Sequence, residues 1–162
     1  SSHWWGGCMS TTADTSRADA PTIRAARLAD ADRVFALLQQ LASGYAPDRA
    51  AFDESFAFLV DAQEATSVLL VAEDGSERLT GYALTTVTPL PHINGRSAQL
   101  QELVVDNDVR GAGVGTALIE AVEDLCRLLR VKQLTVASRG AADFYERLGY
   151  HSTADFLKRT FD

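Results

Sequence analysis

A chain of 162 residues with 46% hydrophobic and 23% charged residues is long enough for one domain with a packed core. Its formal net charge of −7 argues against binding to a phosphate backbone, which requires a broad basic face. The two cysteines, Cys8 and Cys126, form neither a disulfide framework nor a zinc-ligand pattern, and no apolar run is long enough to span a bilayer. We therefore expect a protein of the reducing cytoplasm without metal, nucleic-acid or membrane partners.

Residues 1–20 differ in composition from the rest of the chain. They are rich in Ser, Thr, Ala, Asp and Gly and show no hydrophobic periodicity, so we expect a disordered tail. Met9 is the only methionine, and a native start there would make residues 1–8 a remnant of expression. Residues 21–162 are predicted to form a single domain.

The first half of this domain predicts a strand, two helices and a hairpin. TIRAA at residues 22–26 alternates like a strand, and LADADRVFALLQQLASG predicts a helix with Asp30 as its N-cap. Apolar residues repeat at helical spacing from Phe52 to Leu59 and indicate a second helix. SVLLVAEDGSERLTGYALTTV then predicts two antiparallel strands that turn around Asp74-Gly75.

The second half predicts three further strands and two helices. AQLQELVV at residues 98–105 predicts a strand, and the apolar face of residues 114–129 predicts a helix behind a glycine-rich segment. KQLTVAS predicts the next strand, AADFYERL a short helix that ends at Gly149, and YHSTADFLKRTF a last hairpin or single strand. The order β-α-α-β-β-β-α-β-α-β, without internal repeat or linker, predicts one mixed α/β layered fold.

The segment VVDNDVRGAGVGTALIEAVEDL, from Val104 to Leu125, joins an apolar strand to a helix through three glycines. Glycine allows positive φ and close approach of the backbone to a ligand, and a helix start leaves amide groups without partners. A dinucleotide-binding fingerprint needs a glycine where Thr116 stands, and a P-loop needs a lysine after its last glycine, so both fit poorly. What remains is R-x-x-G-x-G from Arg110, which favours a diphosphate at the helix start. The alternative is a tight turn that only joins strand and helix.

Two motifs, LQELVVDNDVRGAGVGTALIEA and TVASRGAADFYERLGY, resemble the acyl-CoA-binding motif and the following strand–helix motif of the GNAT superfamily of N-acetyltransferases. The order of elements from Thr22 to Phe161 is also similar to that fold, a mostly antiparallel central sheet flanked by helices. The resemblance implies an N-acetyltransferase that uses acetyl-CoA, with the pyrophosphate on the amides of residues 109–116 and the pantetheine beside residues 103–105. It also implies that this strand and QLTVA splay apart to form a slot.

The resemblance implies a set of cofactor-binding residues on the strand, the glycine segment and the second motif: Leu103, Val104, Val105, Arg110, Gly111, Ala112, Gly113, Val114, Gly115, Thr116, Ser138 and Tyr145. Ser138 departs from the family pattern, because asparagine is common at this position. Serine can still donate a hydrogen bond or cap a turn. The polar contact of that asparagine with the cofactor is therefore not predicted for Ser138.

Glu102 is the candidate for the general base. An acceptor amine like that of lysine has a pKa near 10.4, so a carboxylate is expected to help remove its proton at neutral pH. Glu102 lies on the strand that would flank the thioester, and a sheet covered on both faces leaves little reason for a charge there. The alternative is a strand-end glutamate paired with an arginine. A bulge in this strand would change which face each residue occupies.

Tyr145 is the second catalytic candidate. It stands in DFYERLGY, where the family places a tyrosine that reaches the coenzyme sulfur and acts as general acid. We expect this role to matter less than positioning, because a thiolate with a pKa near 8.5 needs only modest help from a phenol. The alternative is an aromatic residue that packs the helix onto the sheet, the role we expect of Phe144 and Tyr150. A backbone amide of residues 103–105 would donate to the developing oxyanion.

The acceptor is less well defined by the sequence. Tyr45, His92 and Asp155 lie in segments expected to form loops or chain ends and are candidate acceptor contacts, and His92 is also a rival base. The acidic chain favours a cationic amine such as a polyamine, an aminoglycoside or a lysine-like group. The alternative function is a non-catalytic acyl-CoA-binding module. Dimerisation is common among similar proteins, and a homodimer is a further expectation.

Overall fold

The computed structural model describes residues 20–41, 46–63 and 66–161. Within them, five strands form one sheet in the order β1-β2-β3-β4-β5, antiparallel throughout except for the parallel pair β4 and β5. In this described part of the chain, no helix has the length and apolarity required to cross a membrane. In chain order the elements are β1 (Thr22–Ala25), α1 (Ala31–Leu41), α2 (Arg49–Asp61), β2 (Ser67–Glu73), β3 (Leu79–Leu90), β4 (Gly95–Val105), α3 (Val114–Leu128), β5 (Gln133–Val136) and α4 (Ala142–Arg147).

This architecture confirms the predicted mixed α/β fold with a mostly antiparallel sheet. It excludes the dinucleotide-binding alternative, whose sheet is parallel. The predicted tail lies, except for Ala20, outside the described residues.

The predicted final strand is wrong. Residues 150–161 form no strand, and Phe156 and Leu157 are 71% and 89% exposed. These two large residues are adjacent, so a strand would point them to opposite faces, and most of the side chains around them are polar. The segment therefore lacks the one-sided apolar pattern that binds a strand to a sheet.

Helices cover both faces of the sheet, which explains why β2 is a continuous apolar run rather than an alternating one. On one side, α3 packs Leu118 and Val122 against Leu70 of β2. On the other side, α1 and α2 pack against the opposite side chains, such as Val71. We call these sides the α3 face and the α1–α2 face.

The predicted N-cap role of Asp30 at α1 is wrong in detail. Asp30 ends a 3-10 turn, Leu28–Asp30, that runs directly into α1, so the first free amides belong to the turn. Its carboxylate accepts a hydrogen bond from the Arg27 amide (2.7 Å) and pairs with the Arg24 guanidinium of β1 (2.8 Å). Asp30 thus caps the turn and ties it to the sheet edge.

Asp106 ties the end of β4 to α1. Its side chain is 2% exposed, and its carboxylate accepts hydrogen bonds from the Asp108 amide (3.1 Å) and the Arg33 guanidinium (2.6 Å). These donors outweigh the burial and hold the pKa of Asp106 below its ordinary value. The Asn107 amide also donates to Gln40 of α1 (2.8 Å). The start of the glycine segment is therefore fixed to the α1–α2 side of the molecule.

We expect Asp106→Ala to lower the free energy of unfolding by about 2–3 kcal/mol, because Arg33 loses its carboxylate partner. Asp108→Ala is the control, since that side chain is exposed and the amide donor is kept. Because the folded pKa of Asp106 is lowered, the stabilisation is complete above the unfolded value near 3.9 and is lost as the pH falls through the folded value. Urea titrations of both variants should thus differ at pH 7 and converge in acid. Equal stabilities at pH 7 would contradict this account.

Candidate active site

The chain between β4 and α3 forms a loop with two left-handed glycines. After a 3-10 turn at Asn107–Val109, Gly111 and Gly113 have φ of 90° and 83°, values at which a side chain is strained. Helix α3 begins at Val114, and the Ala117 amide makes a bond of 3.0 Å to the Gly113 carbonyl. The amides of residues 114–116 come before the first hydrogen bond of α3 and have no acceptor within the helix. An anion site requires amides of this kind.

A cavity of about 590 Å³, which we call the loop cavity, opens above this segment on the α3 face. Two arginines line it, Arg110 from the loop and Arg147 from α4. The sequence analysis missed Arg147, although it lies three residues after Phe144 and so shares one face of α4 with it. The lining comprises Leu103, Val105, Arg110, Gly111, Gly113, Val114, Gly115, Thr116, Ala141, Phe144, Arg147 and Leu148.

The predicted slot corresponds to the end of the pairing between β4 and β5. The two strands pair from Ser97 with Gln133 to Leu100 with Val136, while β4 continues to Val105. Within the described residues, no strand pairs with residues 101–105 on the β5 side. Their backbone groups on that side are therefore available next to the loop cavity.

A β-bulge determines which face of the sheet carries Glu102. Leu100 and Glu102 pair with consecutive residues of β3, so Gln101 is the extra residue of the bulge. Leu100 and Leu103 both pack on the α3 face although they are three positions apart. Without the bulge, the period of two would place Glu102 on the face of Leu100. With the bulge, Glu102 reaches the α1–α2 face, where the Tyr82 hydroxyl donates a hydrogen bond to its Oε1 (2.9 Å).

Glu102 lines a second cavity of about 250 Å³ on the α1–α2 face, which we call the apolar pocket. Its hydrogen bond comes from Tyr82, so the pairing with arginine considered from the sequence is not what the structure shows. The pocket lies between the two helices and the sheet and is lined by Val34, Leu38, Pro47, Asp48, Ala51, Phe52, Ser55, Phe56, Leu59, Leu69, Tyr82, Leu84 and Glu102.

A family model for the acetyltransferase (GNAT) domain matches residues 65–152, which is more than half of the chain. The chain belongs to the GNAT acetyltransferase family. The GNAT match runs from β2 through α4 and confirms the family predicted from the two motifs. It includes the loop cavity and Glu102, whereas the α1 and α2 walls of the apolar pocket lie outside it.

Individual relatives agree with this membership. The chain is 35% identical over 80 residues to a glucosamine 6-phosphate N-acetyltransferase of Trypanosoma brucei brucei, a match that covers 46% of this chain and 52% of that protein. It is 42% identical over 57 residues to an uncharacterized N-acetyltransferase of Methanocaldococcus jannaschii, covering 33% of this chain and 25% of that protein. The chain thus spans a quarter to about half of the length of these curated relatives.

Solved structures support the GNAT fold. Glucosamine-6-phosphate N-acetyltransferase from Arabidopsis thaliana matches with a TM-score of 0.76 at 21% identity, covering 88% of this chain and 99% of that one. Ribosomal-protein-alanine N-acetyltransferase from Brucella melitensis biovar Abortus 2308 matches with a TM-score of 0.72 at 22% identity, also covering 88% and 99%. At these identities the likeness concerns the fold.

Four residues predicted to bind the cofactor in this GNAT domain are not part of the loop cavity lining. Val104 is 3% exposed and packs on the α1–α2 face, as strand alternation requires. The Ala112 amide donates to the Val109 carbonyl (3.2 Å), and the Ser138 hydroxyl accepts from the Ala141 amide (3.2 Å). Tyr145 is the fourth.

Tyr145 is buried, with 8% of its surface exposed. Its ring makes edge-on contacts with Phe144 (5.0 Å between centroids) and Tyr150 (5.8 Å), and burial raises the pKa of its phenol. Tyr145 therefore packs among aromatic residues, which is the alternative role considered for it from the sequence. Phe144, expected only in the core, also lines the loop cavity.

The three predicted acceptor contacts are not brought together. Tyr45 lies outside the described residues. His92 is exposed in the 3-10 turn Pro91–Ile93, before β4 begins, and about 20 Å of strand separates that start from Glu102. Asp155 is exposed in the segment after α4, and neither His92 nor Asp155 lines either cavity.

Proposed function

We propose that the protein is an acetyl-CoA-dependent N-acetyltransferase that moves an acetyl group directly to a primary amine. The observation that carries the proposal is the arrangement around β4: the loop cavity lies on one face of the strand and the apolar pocket with Glu102 on the other. The unpaired edge of residues 101–105 separates the two. A donor and an acceptor that enter from opposite faces can meet at this edge.

The residues of the loop cavity fit the chemistry of coenzyme A. The early amides of α3, with Arg110 and Arg147, suit a pyrophosphate. A Cβ built on Gly111 or Gly113 meets no atom within 4 Å, so the space in front of the loop is open to a ligand. Leu103 and Val105 offer an apolar wall and unpaired backbone for a pantetheine arm. When bound, acetyl-CoA supplies an acetyl thioester activated for attack by an amine.

Glu102 is proposed as the general base. One carboxylate oxygen accepts the bond from Tyr82, which holds the group in the apolar pocket and leaves the second oxygen for an ammonium group. Glu102 takes one proton from the ammonium, which gives the neutral amine that attacks the thioester. The nitrogen releases its second excess proton to water as the amide forms. An unpaired amide of residues 103–105 donates to the acetyl oxygen as negative charge develops there.

Tyr145 is proposed to give a proton to the sulfur as the carbon–sulfur bond breaks, so that coenzyme A leaves as a thiol. Burial raises its pKa, which keeps the phenol protonated but makes it a weaker acid. A location in the cytoplasm and a homodimer stay predictions in this proposal.

The function is tested by following thiol release from acetyl-CoA with a panel of primary amines. Amine-dependent release is the expected result. Tight acetyl-CoA binding without turnover for any amine would instead support the non-catalytic acyl-CoA-binding module.

We expect Tyr145→Phe to lower kcat by about tenfold and to leave the KM values unchanged, because a weak acid contributes little to protonating a thiolate. Tyr150→Phe is the matched control from the same aromatic cluster. It loses a hydrogen bond to Glu123 (2.5 Å) and should affect stability but not kcat. Equal kcat values for the two variants in steady-state assays would remove the acid role from Tyr145.

A further inference from the structure

We propose that the acceptor is a small primary amine with an apolar carbon skeleton, either an arylalkylamine or a branched alkylamine. This inference rests on the proposed N-acetyltransferase function and assigns its substrate class. It is carried by the composition, the charges and the volume of the apolar pocket.

The walls of the pocket are apolar on three sides. Helix α2 contributes Phe52 and Phe56, whose rings stack with centroids 5.2 Å apart. Helix α1 contributes Leu38, and β3 contributes Leu84. A hydroxyl or a second ammonium placed between these walls would lose its water without gaining a partner. The pocket therefore favours hydrocarbon over the polyamine and aminoglycoside skeletons expected from net charge alone.

The charged groups of the pocket are both acidic. Glu102 and Asp48 line it, and no basic side chain does so among the residues that the structure describes. Arg49 is close in sequence, but its guanidinium pairs with Asp32 (2.7 Å) and Asp53 (2.8 Å) at the surface. An acceptor that carries a phosphate would bring its charge to two carboxylates without a cation to neutralise it. The pocket thus does not suit the sugar phosphate named for two of the similar proteins.

The acidic groups instead suit a single ammonium. Asp48 is exposed at the start of α2, where its carboxylate accepts from the Ala51 amide (2.8 Å), whereas Glu102 is partly buried. Glu102 is then the group positioned to hold the amine, and the hydrocarbon part extends toward Phe52 and Leu38. The volume of about 250 Å³ is smaller than that of pockets for drug-sized ligands, which begin at about 300 Å³, so one ring or one branched chain fills it.

The proposal is tested by measuring kcat/KM of the full chain for four amines: 2-phenylethylamine, 3-methylbutylamine, spermidine and glucosamine 6-phosphate. We expect the two apolar amines to exceed the other two by roughly 30-fold or more. A preference for spermidine or glucosamine 6-phosphate would overturn this assignment and leave the acetyltransferase function intact. Absence of turnover with every amine would contradict the function itself.

A fifth substrate tests whether the acceptor is a small free amine or the N-terminal amine of a peptide. Phe-Gly-Gly-amide presents a benzyl group beside its amine, but its peptide part exceeds the pocket. We expect a lower kcat/KM than for 2-phenylethylamine. A higher value would identify a peptide as the acceptor and overturn the assignment to small amines.

A charge placed in the pocket gives an independent test. Ser55 lines the pocket from an exposed position on α2, and Ala57 is exposed on the same helix but does not line it. We expect Ser55→Lys to lower kcat/KM for 2-phenylethylamine by about tenfold, mainly through KM, and Ala57→Lys to stay within about twofold of the parent protein. Equal effects of the two lysines would overturn the assignment of this pocket to the acceptor.

Discussion

Replacing Glu102 by glutamine is expected to lower kcat/KM for the amine by about 10²–10³-fold at pH 7, with acetyl-CoA affinity unchanged. Glutamine keeps the size of the side chain and a carbonyl oxygen for the hydroxyl of Tyr82, which donates to Glu102 over 2.9 Å. It removes the ability to take a proton. Glu102 and the loop cavity lie on opposite faces of β4, so cofactor binding should not sense the change.

The pH dependence distinguishes a base from a residue that only positions the amine. A primary amine with a pKa near 10.4 is almost wholly protonated at pH 7 and loses its proton to solvent as the pH approaches 10. The deficit of Glu102→Gln should therefore shrink steadily over this range. Steady-state kinetics of both proteins from pH 6.5 to 10 provide the measurement, with stability checked at each pH.

Tyr82→Phe is the matched control for this prediction. It removes the hydrogen bond to Glu102 but keeps the carboxylate and the aromatic ring, which is 2% exposed. A loss below about tenfold is expected, because the base remains and only its orientation is relaxed. A deficit of Glu102→Gln that is constant with pH would argue that the carboxylate binds the amine and does not accept its proton.

The face occupied by Glu102 shows where sequence reasoning reaches its limit. AQLQELVV does not alternate regularly beyond Leu100, and the sequence indicated only that a bulge in this strand would change the face of each residue. The bulge itself follows from the pairing of β4 with Leu84 and Thr85 of β3, two consecutive residues that oppose Glu102 and Leu100. Such pairing joins residues of two different strands, so the sequence of one strand does not determine which residue is the extra one.

The loop cavity could be predicted and the apolar pocket could not, because the first depends on consecutive residues and the second on residues from several elements. The left-handed glycines and the helix start occur within a few consecutive residues, so local backbone chemistry indicates them. The walls of the apolar pocket come from α1, α2, β2, β3 and β4, and each apolar wall residue alone is typical of an ordinary core position. Only the packing of the two helices over the sheet brings those residues around Glu102.

Gly113→Val is expected to weaken binding of coenzyme A by about 100-fold, equivalent to about 2.7 kcal/mol. Gly113 has φ of 83°, and a side chain there both strains the backbone and projects into the open space before the first amides of α3. The affinity would be measured by isothermal titration, after circular dichroism confirms that the variant is folded.

Gly75→Val is the matched control for this substitution. Gly75 lies in the turn between β2 and β3, without positive φ, and a Cβ there also meets no atom within 4 Å. The control therefore adds the same side chain at a surface glycine away from the loop cavity and should leave coenzyme A affinity unchanged. If the glycine segment were only a tight turn between strand and helix, Gly113→Val would lower stability while both variants bound coenzyme A equally well. A selective loss of affinity at Gly113 would instead support main-chain amides as the ligands of the pyrophosphate.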